Sequence, residues 1–542
     1  MSGRRTYIDL LAKPFIAAAA AREEGVQFRG GYYFYDVNAK INHKFSEKDR
    51  LYASIYTGDD RFYANVKENY DYSSGGQNYD SEYSLKSELG WGNITSAIRY
   101  NHLFSNKLFS NITATYSRYN LETGIESSEK ESLNGEELFD ATFGAKYLSG
   151  IEDVAAKIDF DYLPNPVNHI RFGASATHHT FKPGALNFRV EEGNETPLDT
   201  LIGSTNTNSM DYTVYVEDEI TIGQNFKANI GVHASAFVVD GETYTSVQPR
   251  VGLRYLLPGD VALKASYATM TQYLHFLTNE GIGLPTDLWL PSTPRVAPEQ
   301  SWQAAFGIAK TFQDRFEFSV EGYYRKMDNL ISYKEGASFI DFGDWQDKIE
   351  QGEGESYGAE FFLQKKKGKT TGWLGYTLAW TNRQFDNING GRVYPFKYDR
   401  RHDVSAVVIH EFGERISASA TWVYGTGNAV TLPVSKSAVY VPHYDGSYST
   451  EIERPSDKNA FRMKPYHRLD IGVNFTKQKK RYKRRFTIGA YNIYNRRNPF
   501  FIYSNEEVTE YDEEAGMWGI EQQFRQVSLF PIIPSFSWGF EF

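Results

Sequence analysis

Tyr33-Phe34-Tyr35-Asp36-Val37-Asn38-Ala39-Lys40-Ile41-Asn42-His43-Lys44-Phe45 decides the fold class. Tyr33, Tyr35, Val37, Ala39 and Ile41 fall on one side of a period-two repeat, and Asp36, Asn38, Lys40, Asn42 and Lys44 on the other. Successive side chains of a strand point to opposite faces, so the stretch reads as a strand with one oily and one wet face. The same split recurs in Val154, Ala156, Ile158 and Phe160 against Lys157, Asp159 and Asp161. It returns in Ile416, Ala418, Ala420, Trp422 and Tyr424 against Ser417, Ser419 and Thr421, and in Leu469, Ile471, Val473 and Phe475 against Arg468, Asp470 and Asn474. Helical spacing is nearly absent, so an all-β chain is expected. A soluble sandwich would need a second layer over each oily face, and nothing in the sequence supplies one.

The connections say what covers that face. Short turns are expected at Ser46–Asp49, Ser105–Lys107, Pro164–Asn168, Gly223–Asn225, Pro258–Asp260, Gln313–Arg315, Lys367–Lys369, Gly413–Glu414 and Gln478–Tyr482. Between them lie longer polar segments rich in Gly, Asn, Asp and Ser, such as Asp59–Tyr83, Pro183–Asn208, Tyr273–Gln300 and Gly427–Met463. With an opening strand near Arg4–Leu11 and a closing one that ends at Phe542, the hairpins give about 20 strands. Short turns at one rim and long loops at the other are the pattern of a transmembrane antiparallel β-barrel of a bacterial outer membrane, with turns in the periplasm and loops outside. Lipid then covers the oily face, and every backbone group is satisfied by its neighbour strand.

Composition agrees. Tyr 39, Phe 37 and Trp 9 fit aromatic girdles at two membrane interfaces. No apolar stretch is long enough for a transmembrane helix, and Met1 to Phe15 has the basic start of a secretory signal without its apolar core. The net charge of −10 argues against nucleic acid as a partner, and the absence of Cys removes thiolate metal sites and cysteine nucleophiles. His178 and His179 are adjacent, so on a strand they point apart and cannot share a metal; no catalytic residue, metal or cofactor is expected. Charges inside predicted spans must face the lumen, because a charge toward lipid at mid-depth costs ~2–4 kcal/mol. Arg250, Lys264, Glu321, Arg325, Glu360 and Arg468 are expected to do so. Arg400 and His402 belong to the ionisable run Tyr398–Asp403, a charge ladder near the rim or a lumen contact. His275, Phe276 and Trp289 sit in a loop stiffened by Pro285, Pro291, Pro294 and Pro298 and are candidate ligand contacts; packing on neighbouring loops is the competing reading. The basic runs Lys365–Lys369 and Lys477–Arg485 fall at expected periplasmic turns, solvated or paired with inner-leaflet phosphates. At the C-terminus Phe536, Trp538, Phe540 and Phe542 alternate with Ser535, Ser537, Gly539 and Glu541.

Several short motifs, in order and spacing, resemble the barrel half of TonB-dependent outer-membrane receptors. They include Gln248-Pro249-Arg250-Val251, Leu284-Pro285-Thr286-Asp287-Leu288-Trp289, Tyr323-Tyr324-Arg325-Lys326-Met327, Tyr398-Asp399-Arg400-Arg401-His402-Asp403 and Asn492-Ile493-Tyr494-Asn495-Arg496-Arg497-Asn498-Pro499. The resemblance implies a barrel of 22 strands closed by an N-terminal plug that engages the TonB complex. It also makes the aromatic end, Phe536 to Phe542, a signal for the barrel assembly machinery. Residues 1–542 then read as one barrel domain lacking the plug and the first two strands, with a gap or strained contact between Arg4–Leu11 and Ser535–Phe542. The implied function is capture of a scarce small solute by extracellular loops and its import across the Gram-negative outer membrane, without chemistry on it. A passive pore, which would conduct ions without substrate selectivity, and a barrel-embedded enzyme are the alternatives.

Overall fold

The structure is a computed structural model of residues 1–542. It describes all of them except 8, 11–12, 15–24, 75–76, 135, 194–197, 204–205, 279–286, 338–342, 444–445 and 513–516, and for 72–74, 77, 201, 434–443, 446–455, 504–512 and 517–522 it describes the backbone alone. Twenty strands follow one another in a single antiparallel sheet, from Ser2–Arg5 and Val26–Lys44 to Lys483–Tyr491 and Ile533–Glu541. Two short pieces, Leu198–Gly203 and Tyr394–Pro395, pair onto wall strands and bring the sheet to 22 members. All nine short turns fall where the sequence places them, at one rim.

The other rim corrects the expectation that the longer polar segments are loops. Asp59–Tyr83 is not a loop: Asp49–Ser74 pairs with Gln77–Ser105 without interruption up to Ser74 opposite Gln77. Polarity was a poor guide there because the period-two alternation persists, and its charges close across strands, as in Lys67–Glu82 at 2.7 Å. The strand Asn168–Glu192 likewise runs into Pro183–Asn208, and Gly427–Met463 holds the hairpin Pro433–His443 with Gly446–Pro455. Val239 and Glu242 are joined by only Asp240 and Gly241, both at positive φ, the conformation that matches hairpin twist.

The opening strand is also shorter than expected. It spans Ser2–Arg5 and stops short of Asp9 and Leu10, which are helical, and Arg5 pairs with Asp9 at 2.9 Å. Among the described residues no ladder joins Ser2–Arg5 to Ile533–Glu541, so the sheet keeps two open edges.

Two aromatic rows mark the lipid band. Near the loop rim, Tyr267, Trp302, Tyr324, Tyr357 and Trp380 stand side by side on five neighbouring strands with ring centroids 5.3–6.3 Å apart. Near the turn rim, His102, Phe104, Phe160 and Phe172 form a second row. Trp302 and Phe312 lie ten residues apart on the strand Glu299–Phe312, about 33 Å along the chain and roughly 25 Å upright at barrel tilt. That height is the apolar thickness of an outer-membrane barrel. Between the rows the outward face carries apolar side chains such as Phe306, Ile308, Val214 and Val216, while the outward Lys310 lies over the Phe312 ring at the turn rim.

Candidate binding vestibule and lumen

Five consecutive strands, from Asp49–Ser74 to Asn168–Glu192, are 25 to 29 residues long, whereas the thirteen from Thr207–Ile222 onward have 9 to 18. About 9–11 residues cross the membrane, so the long strands stand some 15 residues above it. Over that height the wall reverses its polarity. Register places Arg61, Lys86, Glu122, Glu126, Lys130 and Lys146 on the outward face, closed into pairs such as Lys86–Glu126 at 2.6 Å and Arg61–Glu122 at 3.6 Å. The inward face, polar within the membrane, becomes apolar: Phe62, Leu89, Trp91, Leu121, Ile125, Phe143 and Tyr147. Gly184 helps make this possible. At φ 143° beside the Tyr147 ring, it forms a bulge with Pro183 that switches phase, so Leu186, Phe188 and Val190 turn inward above it.

A loop packs into the lower part of this vestibule. The hairpin Leu274–Leu277 with Leu288–Pro291 buries Leu277 and Leu290 completely, against Leu89, Leu121 and Tyr147 on the tall wall and Ile331, Tyr333, Trp345 and Ile349 on the opposite side. Strands nearly diametrically opposed are thereby bridged. Polar anchors hold the bridge: His275 is fully buried, its Nε2 3.1 Å from Ser292 Oγ and its Nδ1 3.2 Å from Glu299 Oε1. Tyr273 stacks on Phe237 and shares a 2.7 Å hydrogen bond with Ser235. Phe276 and Trp289 face each other across the hairpin at 4.7 Å, and Phe276 is 38% exposed. Of the three aromatic loop candidates, His275 is thus wholly engaged within the protein, and Pro285 lies outside the described residues.

Above the Thr370–Gln384 strand the run Tyr398–Asp403 separates by role. Asp399 is 1% exposed, accepts from the Thr381 backbone N–H at 2.7 Å and pairs with Arg462 from the next loop, with Arg401 3.6 Å away. Arg400 lies in the turn, outside the wall strands, 3.6 Å from Asp403. His402 stacks on Tyr376 on the outward face. Asp399 was missed as an anchor because nothing in a row of charges tells which one will be covered. Asn492 is another such anchor, fully buried and donating to the Arg496 and Phe530 carbonyls; Asn492 and Asn495 both take positive φ, a backbone role within their motif.

The register puts Arg250, Lys264, Glu321, Arg325, Glu360 and Arg468 on the inward parity of their strands. Glu321 lies directly opposite Glu360. Arg325 donates to Ser301 at 3.3 Å, and Arg468 donates to the Tyr466 and Tyr491 hydroxyls at 2.9 and 2.7 Å. Further pairs absent from the sequence reading line the same surface, including Arg171–Glu217 at 2.8 Å and Tyr215 donating to Asp159 at 2.6 Å. Phe536, Trp538 and Phe540 share the outward face of the last strand, opposite Ile488, Phe486 and Arg484. Among the described residues no three His, Asp or Glu side chains converge as metal ligands.

Comparison with known proteins follows this geometry. The chain superposes on the ferric-catecholate import receptor Fiu of E. coli K12 with a TM-score of 0.51 at 10% identity, covering 92% of this chain and 80% of that one. It superposes on the ferripyoverdine receptor of the Pseudomonas aeruginosa outer membrane with 0.52 at 10% identity, over 88% and 68% of the two chains. For the siderophore receptor PiuA of Acinetobacter baumannii the values are 0.51 and 10%, over 94% and 80%. At such identity these likenesses speak for the fold. No curated protein sequence matches significantly. The family signature described as TonB dependent receptor-like, beta-barrel, matches residues 19–495, and the chain therefore belongs to the TonB-dependent receptor β-barrel family.

Proposed function

We propose that this chain is the outer-membrane barrel of an importer that captures a scarce solute in the vestibule between the tall wall and the loops of the low side. The solute then passes the polar lumen when the TonB complex acts through a plug domain. The observation that carries this reading is the reversal of wall polarity. Charged residues that face water on the outside, and apolar ones that line the inside, make a concave surface suited to a ligand with an apolar or aromatic part. Phe62, Ile125 and Phe143 are each 44–46% exposed on that surface. Lumen charges, with Arg250, Glu321 and Glu360 among them, give the onward path a polar lining, and Phe276 and Trp289 offer aromatic contact at its entrance. Lipid around the barrel, the Gram-negative outer membrane as location and delivery by the assembly machinery through Phe536, Trp538, Phe540 and Phe542 complete the reading.

The test is uptake by cells that need this gene to grow on a limiting solute. Saturable uptake that stops when the proton-motive force is dissipated is the expected result, and uptake that survives dissipation refutes it. Phe62→Asp with Phe143→Asp should raise the half-saturating solute concentration about tenfold, the equivalent of roughly 1.4 kcal/mol of lost contact. The passive-pore reading is disfavoured by the bridge of Leu277 and Leu290 across the mouth.

A further inference from the structure

The outward face at the turn rim carries a groove of about 460 Å³ across the strands Ile416–Gly425, Tyr466–Gln478, Lys483–Tyr491 and Ile533–Glu541. Its floor is apolar, formed by Ile416, Phe475, Phe486 and Trp538, and its rim carries Arg415, Lys477 and Arg484. Phe475 pairs with Phe486 and Phe486 with Trp538, so these rings share the lipid-facing side. Lys477 stands directly opposite Arg484 on that same face. Like charges in register across a ladder repel, and none of the three cations has a carboxylate partner among the described residues. Arg484 leans only toward the Trp538 ring, at 5.9 Å. The neighbouring turn intensifies the field, since Lys477–Arg485 holds seven basic and no acidic residues in nine. At the turn between Ile349–Lys365 and Thr370–Gln384 the cations are neutralised by carboxylates of the neighbouring turn and strand, Lys366 by Glu317 and Lys367 by Asp314.

We propose that this groove is a site for an anionic phospholipid of the periplasmic leaflet. Its phosphate would sit between Lys477 and Arg484, where charge-assisted hydrogen bonds replace their mutual repulsion, and its acyl chain would lie along Phe475, Phe486 and Trp538. A free phosphate would use the two cations and leave the aromatic floor bare, so the apolar half of the groove favours the lipid. The proposal rests on the membrane reading given above, and the experiment separates the two.

The full chain, folded into phosphatidylethanolamine vesicles, is titrated with phosphatidylglycerol or phosphatidylethanolamine bearing brominated acyl chains, which quench a tryptophan only on contact. The Trp538 component is the difference from Trp538→Phe. The expected result is several-fold stronger quenching of that component by brominated phosphatidylglycerol at equal mole fraction. Lys477→Gln with Arg484→Gln should abolish the preference, whereas Lys479→Gln with Lys480→Gln, outside the groove, should keep it; heat-modifiable gel mobility reports that each variant is folded. Equal quenching by the two lipids, or a preference that survives Lys477→Gln with Arg484→Gln, overturns the proposal while leaving the barrel in its membrane. Displacement of the lipid by millimolar inorganic phosphate overturns the lipid as occupant. Absence of quenching by either lipid overturns the membrane placement of this wall, and the site with it.

Discussion

The tall wall of Asp49–Glu192 and the low side from Thr207 to Phe542 answer one requirement in opposite ways. Both need to enclose a space above the membrane, and both begin from the same alternating strands. The tall wall extends its ladder, so its backbone stays hydrogen-bonded while its two faces exchange polarity at the membrane surface. The low side ends its strands near the aromatic row and sends loops inward, held by buried polar anchors such as His275, Asp399 and Asn492. Regular pairing gives height without specific anchors; irregular loops give a filled mouth but depend on individual buried groups.

The largest effect should come from breaking the contact between the two regions. Leu290→Asp puts a carboxylate without a partner at a fully buried position, at a cost of about 4 kcal/mol or more, borne by the bridge alone. Amide exchange of Leu274–Leu277 should accelerate by orders of magnitude while strands such as Phe316–Tyr333 stay protected. Planar-bilayer recordings of the same variant should give a larger conductance than the parent chain; an unchanged one would mean that the bridge does not obstruct the lumen.

A middle-sized effect tests the change of environment along the outward face. Phe306→Lys, midway between Trp302 and Phe312, should destabilise the barrel by about 2–4 kcal/mol, because the ammonium meets lipid. Lys86→Ala, also outward but above the membrane, removes a pair with Glu126 and should change stability by less than about 0.5 kcal/mol. Denaturant unfolding in vesicles of both variants decides it, and equal costs would show that the tall wall is not above the lipid.

The smallest effect distinguishes the loops by pH. Arg295 holds the Asp347 carboxyl below its ordinary value, chiefly through their hydrogen bond, and Arg392 does the same to Asp457. A lowered carboxylate stabilises the folded loop above the ordinary carboxylate range, and that contribution fades as pH falls through the lowered value. Both pairs are exposed, so the effect is slight. Proteolytic nicking of residues 334–348 and 456–465 should rise between pH 5 and strongly acidic conditions, and Asp347→Asn should remove the dependence at the first site only.

Much of this architecture was legible in the sequence. The alternation from Tyr33 to Ile41 reported which face meets lipid, because a strand offers only two faces and a charge on the wrong one is costly. Eight of the nine turns were legible for a similar local reason, since Gly, Asn, Asp or Pro marks the tight reversal, and Gln478–Tyr482 stood out by its run of charge instead. The upper limits of the strands were not. Asp59–Tyr83 has the composition of a loop, and whether such residues pair or wander depends on a neighbouring strand of matching length, which lies far away in sequence. Arg4–Leu11 failed in the other direction, where a local Arg5–Asp9 pair wins over continued pairing.

The sequence by itself determined the all-β class, the number and direction of the wall strands, their lipid-facing side and the family they belong to, because each of these follows from short-range periodicity and motif order. Only the tertiary structure decided that the wall inverts its polarity above the membrane, that Leu277 and Leu290 bridge opposite strands, and that Asp399 is the buried member of a row of charges. Those features rest on which surfaces meet across the barrel mouth, and burial at such a contact is a property of the whole curved sheet that no single strand carries.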